Sequence, residues 1–121
     1  MNKKRILLID DESGFTNILR LSLPAYEVCA ENNPLRAVET ARKFKPDIIF
    51  LDVIMPDMDG GAVAAELKED ASLTNVPIVF LTAIVSEKDT KTGSLIGGFE
   101  FLAKPVSRDQ IVECVRKHLG S

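Results

Sequence analysis

A chain of 121 residues, 45% hydrophobic and 27% charged, has room for one hydrophobic core and the balance of a soluble globular domain. A net charge of −3 and a pI of about 5.2 disfavour direct partnership with nucleic acid or an anionic membrane, which calls for a basic stripe. No apolar run approaches the roughly 20 residues of a membrane span, and the basic start Met1-Asn2-Lys3-Lys4-Arg5 is followed by too short an apolar run for a signal peptide, so a cytoplasmic location is expected.

Ile6-Leu7-Leu8-Ile9 is a continuous apolar run, the pattern of a strand buried on both faces. Ser13 is placed to cap a helix through Leu23, with Phe15, Ile18, Leu19 and Leu23 at helical spacing and Pro24 as the stop. Tyr26 to Glu31 reads as a weaker second strand. Asn33-Pro34 then suits the N-cap and first position of a helix that carries Leu35, Val38, Ala41 and Arg42 and stops before Pro46. Ile48-Ile49-Phe50-Leu51 is the third strand, and Met55 to Gly60 is dense in turn residues. A helix is expected from about Gly61 to Glu69, with Val63 and Leu67 inward. Pro77 to Leu81 is the fourth strand and Phe99 to Leu102 the fifth. The last helix runs from Ser107 to Leu119, with Ile111, Val112, Val115 and Leu119 on one face. Between the fourth and fifth strands, alternation asks for a helix over Ser86 to Ile96. Asp89, Thr90, Thr92, Gly93 and Ser94 are poor helix formers and only Leu95 and Ile96 offer apolar anchors, so a short or mobile element is expected.

Five β-α units imply an α/β fold: a doubly wound parallel sheet with helices on both faces, forming one domain over 1–121 with no output domain in this chain. Cys29 and Cys114 match no metal spacing and read as reduced core residues. His118, the sole histidine, sits where a cation favours the end of the last helix, and a surface role is expected.

In such a sheet ligands bind beyond the carboxyl ends of the strands. The residues there are Asp10, Asp11 and Glu12 after the first strand, Asp52 after the third, Thr82 after the fourth, and Lys104 and Pro105 after the fifth. Aspartates crowded in one cleft repel one another, and a divalent cation relieves the repulsion. Oxygen-only donors select Mg²⁺ over Zn²⁺. Lys104 and Thr82 can then neutralise and hydrogen-bond a phosphate, and one aspartate can be a nucleophile that forms an acyl phosphate.

Ile9-Asp10-Asp11, Leu51-Asp52 with Met55-Pro56 and Asp59-Gly60, Leu81-Thr82-Ala83, and Leu102-Ala103-Lys104-Pro105 together resemble the receiver domain of bacterial response regulators over essentially the whole chain. The resemblance implies a flavodoxin-like (βα)5 fold with strand order 2-1-3-4-5. It implies Asp52 as phosphoacceptor, with Mg²⁺ held by Asp11, Asp52 and the backbone carbonyl of Ile54, and by Asp10 largely through water. Lys104 would pair with the phosphoryl group, and Thr82 would contact it. Phe101 would be the aromatic switch, and the bond before Pro105 would be cis. The implied phosphodonor is a histidine kinase or histidine phosphotransfer protein. The implied output surface is the face of the fourth helix, fifth strand and fifth helix. A signalling switch, rather than a conventional enzyme, is therefore expected.

Ile54 and Ile84 stand where many receivers carry polar groups, so slow self-dephosphorylation is expected. Two other readings use the same residues: a small aspartate-nucleophile phosphatase or phosphotransferase, and a receiver-like scaffold that works without phosphorylation. The first lacks the Asp-x-Asp pattern after the first strand, and the second sits poorly with a complete residue set.

Overall fold

The computed structural model describes residues 3–53, 59–82, 95–96 and 99–120. In chain order these form β1 (Arg5–Ile9), α1 (Ser13–Ser22), β2 (Glu27–Glu31), a 3-10 turn (Pro34–Arg36), α2 (Ala37–Phe44), β3 (Ile48–Asp52), α3 (Gly60–Glu69), β4 (Ile78–Thr82), β5 (Leu95–Ile96), β6 (Phe99–Ala103) and α4 (Arg108–Leu119). The sheet order is β2-β1-β3-β4-β6-β5. All pairs are parallel except the last, in which the two-residue β5 lies antiparallel to β6. The five parallel strands therefore follow the flavodoxin-like order 2-1-3-4-5.

The apolar runs become strands because both faces of the sheet are covered. Every residue of β3 and β4 is buried, as are Ile6 to Ile9 of β1. Alternate residues feed two cores. Leu7, Ile9, Ile49, Leu51, Phe80 and Phe101 meet Ala37 and Ala41 of α2 and Val63, Ala64 and Leu67 of α3. Ile6, Leu8, Ile48, Phe50, Val79 and Leu81 meet Leu19 of α1 and Ile111, Cys114 and Val115 of α4. Each large apolar side chain buried this way contributes about 1.5–3 kcal/mol. The edge strand β2 is only half-buried and carries Glu27 and Glu31 at its ends, which discourages further strand pairing.

Local chemistry sets the helix ends. Ser107 accepts a hydrogen bond from the Gln110 N–H, and the Gln110 side chain accepts one from the Ser107 N–H, a reciprocal capping box. Asn33 caps the 3-10 turn through the Leu35 N–H, as its sequence predicts. That first turn is 3-10 rather than α, and Leu35 is 69% exposed instead of anchoring the helix. Ile18 is likewise 69% exposed, while Thr16, Leu19 and Leu23 turn inward.

The α1 cap differs from expectation. Glu12, not Ser13, occupies the N-cap, and it makes no side-chain capping bond. Its carboxylate is committed elsewhere, as described below. The expected helix over Ser86 to Ile96 falls mainly outside the described residues. Its apolar pair Leu95 and Ile96 is a strand, not part of a helix. Both cysteines are free, Cys114 buried and Cys29 partly so.

Candidate phosphoryl and metal site

Sheet register builds the site. Ile9 pairs with Leu51 across the parallel β1–β3 ladder, so the next residues, Asp10 and Asp52, stand side by side where the strands end. Asp11 follows in the loop, and one carboxylate oxygen from each of Asp10, Asp11 and Asp52 lies within 4.8 Å of the others. On the other flank Thr82 pairs with Ala103, which delivers Lys104 to the same edge. The Lys104 N–H donates to the Thr82 carbonyl at 2.8 Å, and the Lys104-Pro105 peptide is cis, as the resemblance implies. Asp10, Asp52 and Thr82 are all buried.

The Lys104 ammonium meets three carboxylates of this cleft. Its Nζ lies 2.7 Å from Asp10 Oδ2, 3.0 Å from Glu12 Oε1 and 3.4 Å from Asp52 Oδ2. It also lies 4.7 Å from the centre of the Phe15 ring. Burial alone would push this ammonium down, but its close contacts with Asp10 and Glu12 and the charges of Asp10 and Asp52 outweigh it and hold it above the ordinary lysine range.

Asp10 is oriented from several sides. Its Oδ1 accepts from the Glu12 N–H at 2.9 Å, and its backbone N–H donates to the Glu31 carbonyl. Its Oδ2 is fully buried and, among the described residues, has the ion pair with Lys104 but no directed hydrogen bond. A buried carboxylate oxygen with unused acceptor capacity, beside two further carboxylates, is the donor chemistry of a hard divalent cation. The residues present therefore fit Mg²⁺. Ile54, whose carbonyl the resemblance adds to the ligand set, lies outside the described residues, as does Ile84.

Comparison with known proteins decides the family. The sequence profile of the response regulator receiver domain matches residues 6–116. The chain belongs to the response regulator receiver family. It is 37% identical over 119 residues to ycf27, a probable transcriptional regulator of Pyropia yezoensis, covering 97% of this chain and 48% of that protein. It is 37% identical over 114 residues to the response regulator PleD of Caulobacter vibrioides, covering 93% of this chain and 25% of that protein. The receiver thus spans about half the length of the first relative and a quarter of the second. Among solved structures, a signal receiver domain of a histidine kinase from Syntrophus aciditrophicus superposes with a TM-score of 0.78 at 28% identity, covering 97% of this chain and 90% of that one. The chemotaxis protein CheY4 of Vibrio cholerae shares the fold, with a TM-score of 0.82 at 24% identity over 97% of this chain and 99% of that one. Receiver domains are signalling domains of two-component systems rather than classical enzymes, and they generally bind Mg²⁺ at an acidic pocket. No helix among the described residues of this receiver is long and apolar enough to cross a membrane.

Of two further residues at the receiver site, Asn32 is outside the sequence-derived set and Glu12 is in it only as a residue after the first strand, with no role of its own. Asn32 immediately follows β2, and its Nδ2 donates to the Asp10 carbonyl at 2.7 Å and to Thr16 Oγ1 at 3.0 Å. It ties the acidic loop to α1. Glu12 supplies the third carboxylate on Lys104. Asn32→Ala is expected to cost about 1–2 kcal/mol of stability, because it leaves the Asp10 carbonyl without its side-chain donor. It should also weaken divalent-cation binding several-fold. Urea unfolding and a Mg²⁺ titration check both effects.

Proposed function

We propose that this receiver takes a phosphoryl group onto Asp52 from a histidine kinase or a histidine phosphotransfer protein, in the presence of Mg²⁺, and relays the change to an output partner. The observation that carries this reading is the convergence of Asp10, Asp11 and Asp52 within 4.8 Å, with the Lys104 ammonium against two of them.

Each residue then has a job. An Asp52 carboxylate oxygen attacks phosphorus. The new P–O bond forms as the P–N bond to the donor imidazole breaks, and the imidazole leaves as the neutral base after taking up a proton. Asp10, Asp11 and Asp52 would hold Mg²⁺ together with the Ile54 carbonyl. The ion would supply charge neutralisation at the transferring oxygens. Lys104 would shift from its carboxylates to a phosphoryl oxygen, and the Thr82 hydroxyl would bond another. Positioning and charge stabilisation carry most of such a transfer.

Phe101 is 6% exposed, sits opposite Phe80 across the β4–β6 ladder and packs in the α2–α3 core. In this reading it is the switch. An inward ring becomes the favoured state when the Thr82 hydroxyl turns to the phosphoryl group, a bias on two pre-existing arrangements. The output surface would be the face of β6, α4 and the expected fourth helix, which lies mainly outside the described residues. Slow loss of the phosphoryl group is proposed from Ile54 and Ile84. Intact mass after incubation with acetyl phosphate tests the uptake. Wild type should gain one phosphoryl group only with Mg²⁺, and Asp52→Ala none. A metal-dependent gain by Asp52→Ala would refute the assignment.

A further inference from the structure

A second donor cluster lies away from the Asp52 cleft, where β6 packs on α4. Cys114 and His118 are four residues apart on α4, so both face the same side of the helix. Glu100 of β6 stands opposite them. Its Oε2 lies 3.8 Å from Cys114 Sγ, and its Oε1 lies 3.3 Å from His118 Nε2. One ligand atom from each of the three residues falls within 4.8 Å of the other two. A tetrahedral zinc ion, at about 2.3 Å from sulfur and about 2.0–2.1 Å from nitrogen or oxygen, sets its ligands roughly 3.3–3.6 Å apart. The two separations from Glu100, each from a different carboxylate oxygen, are near that figure, and the Cys114 and His118 ligand atoms lie within 4.8 Å of each other.

We propose that Glu100, Cys114 and His118 form a binding site for a borderline-soft divalent cation of the Zn²⁺ class, with water in the fourth position. A thiolate and an imidazole discriminate against Mg²⁺, so the site is chemically distinct from the carboxylate cleft. Cys114 is buried, whereas Glu100 and His118 are only partly so. A groove lined by Glu100, Leu102, Gln110, Glu113, Cys114 and Lys117 borders the cluster. Binding forms a metal–sulfur bond and releases the thiol proton to solvent. The competing occupant is Lys117, whose Nζ lies 3.0 Å from Glu100 Oε1. Its side chain is 66% exposed and free to swing away. A bound cation would join β6 to α4 one residue from Phe101.

Cobalt(II), added to the full chain in excess Mg²⁺, is the probe. A thiolate-to-cobalt charge-transfer band should appear in the near ultraviolet, saturate at one ion per chain and be displaced by Zn²⁺. Neither cysteine is in the carboxylate cluster, which therefore cannot produce a thiolate band. His118→Gln, a helix-end substitution that leaves the core untouched, should weaken cobalt binding at least tenfold. Cys114→Ala, confirmed folded by circular dichroism, should abolish the band, and Lys117→Gln should tighten binding several-fold by removing the competitor. Absence of the band in wild type overturns the proposal. So does a band that survives Cys114→Ala, which would place the sulfur at Cys29, and so does cobalt affinity unchanged in His118→Gln.

Discussion

Lys104→Ala should lose about 3 kcal/mol of folding stability at neutral pH in chelator-treated buffer, the scale of breaking a buried ion pair by removing one partner. Asp10 is fully buried, Asp52 is 4% exposed, and the lysine meets both. Without it, the buried Asp10 carboxylate has no cation beside it among the described residues. Mg²⁺ supplies the same compensation, so saturating Mg²⁺ should stabilise the variant more than wild type and recover about half the loss. Urea unfolding with and without the metal measures both. The pH dependence has a defined sign. Lys104 titrates above its ordinary value of about 10.4 in the folded state, so its contribution is fully present below that value. It is lost only as pH rises through the raised folded pKa. The gap between wild type and variant should therefore stay constant from neutral pH to about pH 10 and close only in stronger alkali. Equal stability of the two proteins in metal-free buffer at neutral pH would contradict this account of the cleft.

Gly60→Ala is expected to be the most damaging single-methyl addition near the site. A Cβ on Gly60 would lie 2.4 Å from the Asp52 carbonyl oxygen and 2.6 Å from Val53 Cα. Both obstacles are backbone and cannot rotate away. The Gly60 N–H also donates to the Val53 carbonyl at 2.9 Å, so the first turn of α3 rests directly on the strand end that carries Asp52. Relief requires moving that strand end or the helix. We expect a loss of about 3 kcal/mol, at the upper end for overpacking. Phosphoryl uptake from acetyl phosphate should fall at least tenfold, because Asp52 leaves its alignment with Asp10 and Asp11. Gly61→Ala is the control. Its Cβ meets at nearest an Asp59 carboxylate oxygen at 3.4 Å, and alanine is the better helix former. Its stability should stay within about 1 kcal/mol of wild type or rise.

These variants show which parts of the site sequence reasoning can reach. Asp10, Asp52, Thr82 and Lys104 were legible because a parallel sheet in register turns the residues after each strand into neighbours. The Asp59-Gly60 pair was legible only as a motif, and its reason is the close approach of Gly60 to Asp52 and Val53. Asn32 has the same positional signature as the others, the first residue after a strand. The edge strand β2 is weakly patterned, and an amide side chain at its end carries no charge to mark it as part of an acidic cleft. The Glu12 contact joins residues 92 apart, and no local pattern carries it.

Periodicity also failed at the helix surfaces. Ile18 adjoins Leu19 on α1, and 3.6-residue spacing alone does not say which of two neighbours turns inward. The packing of α1 against the sheet selects Leu19. Leu95 and Ile96 were read by alternation as the end of a helix, yet antiparallel pairing with Phe99 and Glu100 draws them into the sheet. His118 was expected to serve the helix end alone, whereas the fold brings it to Glu100 and beside Cys114.

The central claim is that Asp52, among three clustered aspartates, is the nucleophile. Reductive trapping of the acyl phosphate with borohydride, after incubation with acetyl phosphate and Mg²⁺, followed by peptide mapping, tests it most directly. The reduced side chain should map to position 52 alone and be absent when Mg²⁺ is withheld. A label at Asp10 or Asp11, or a phosphorylated chain with no reducible acyl phosphate at Asp52, would contradict it.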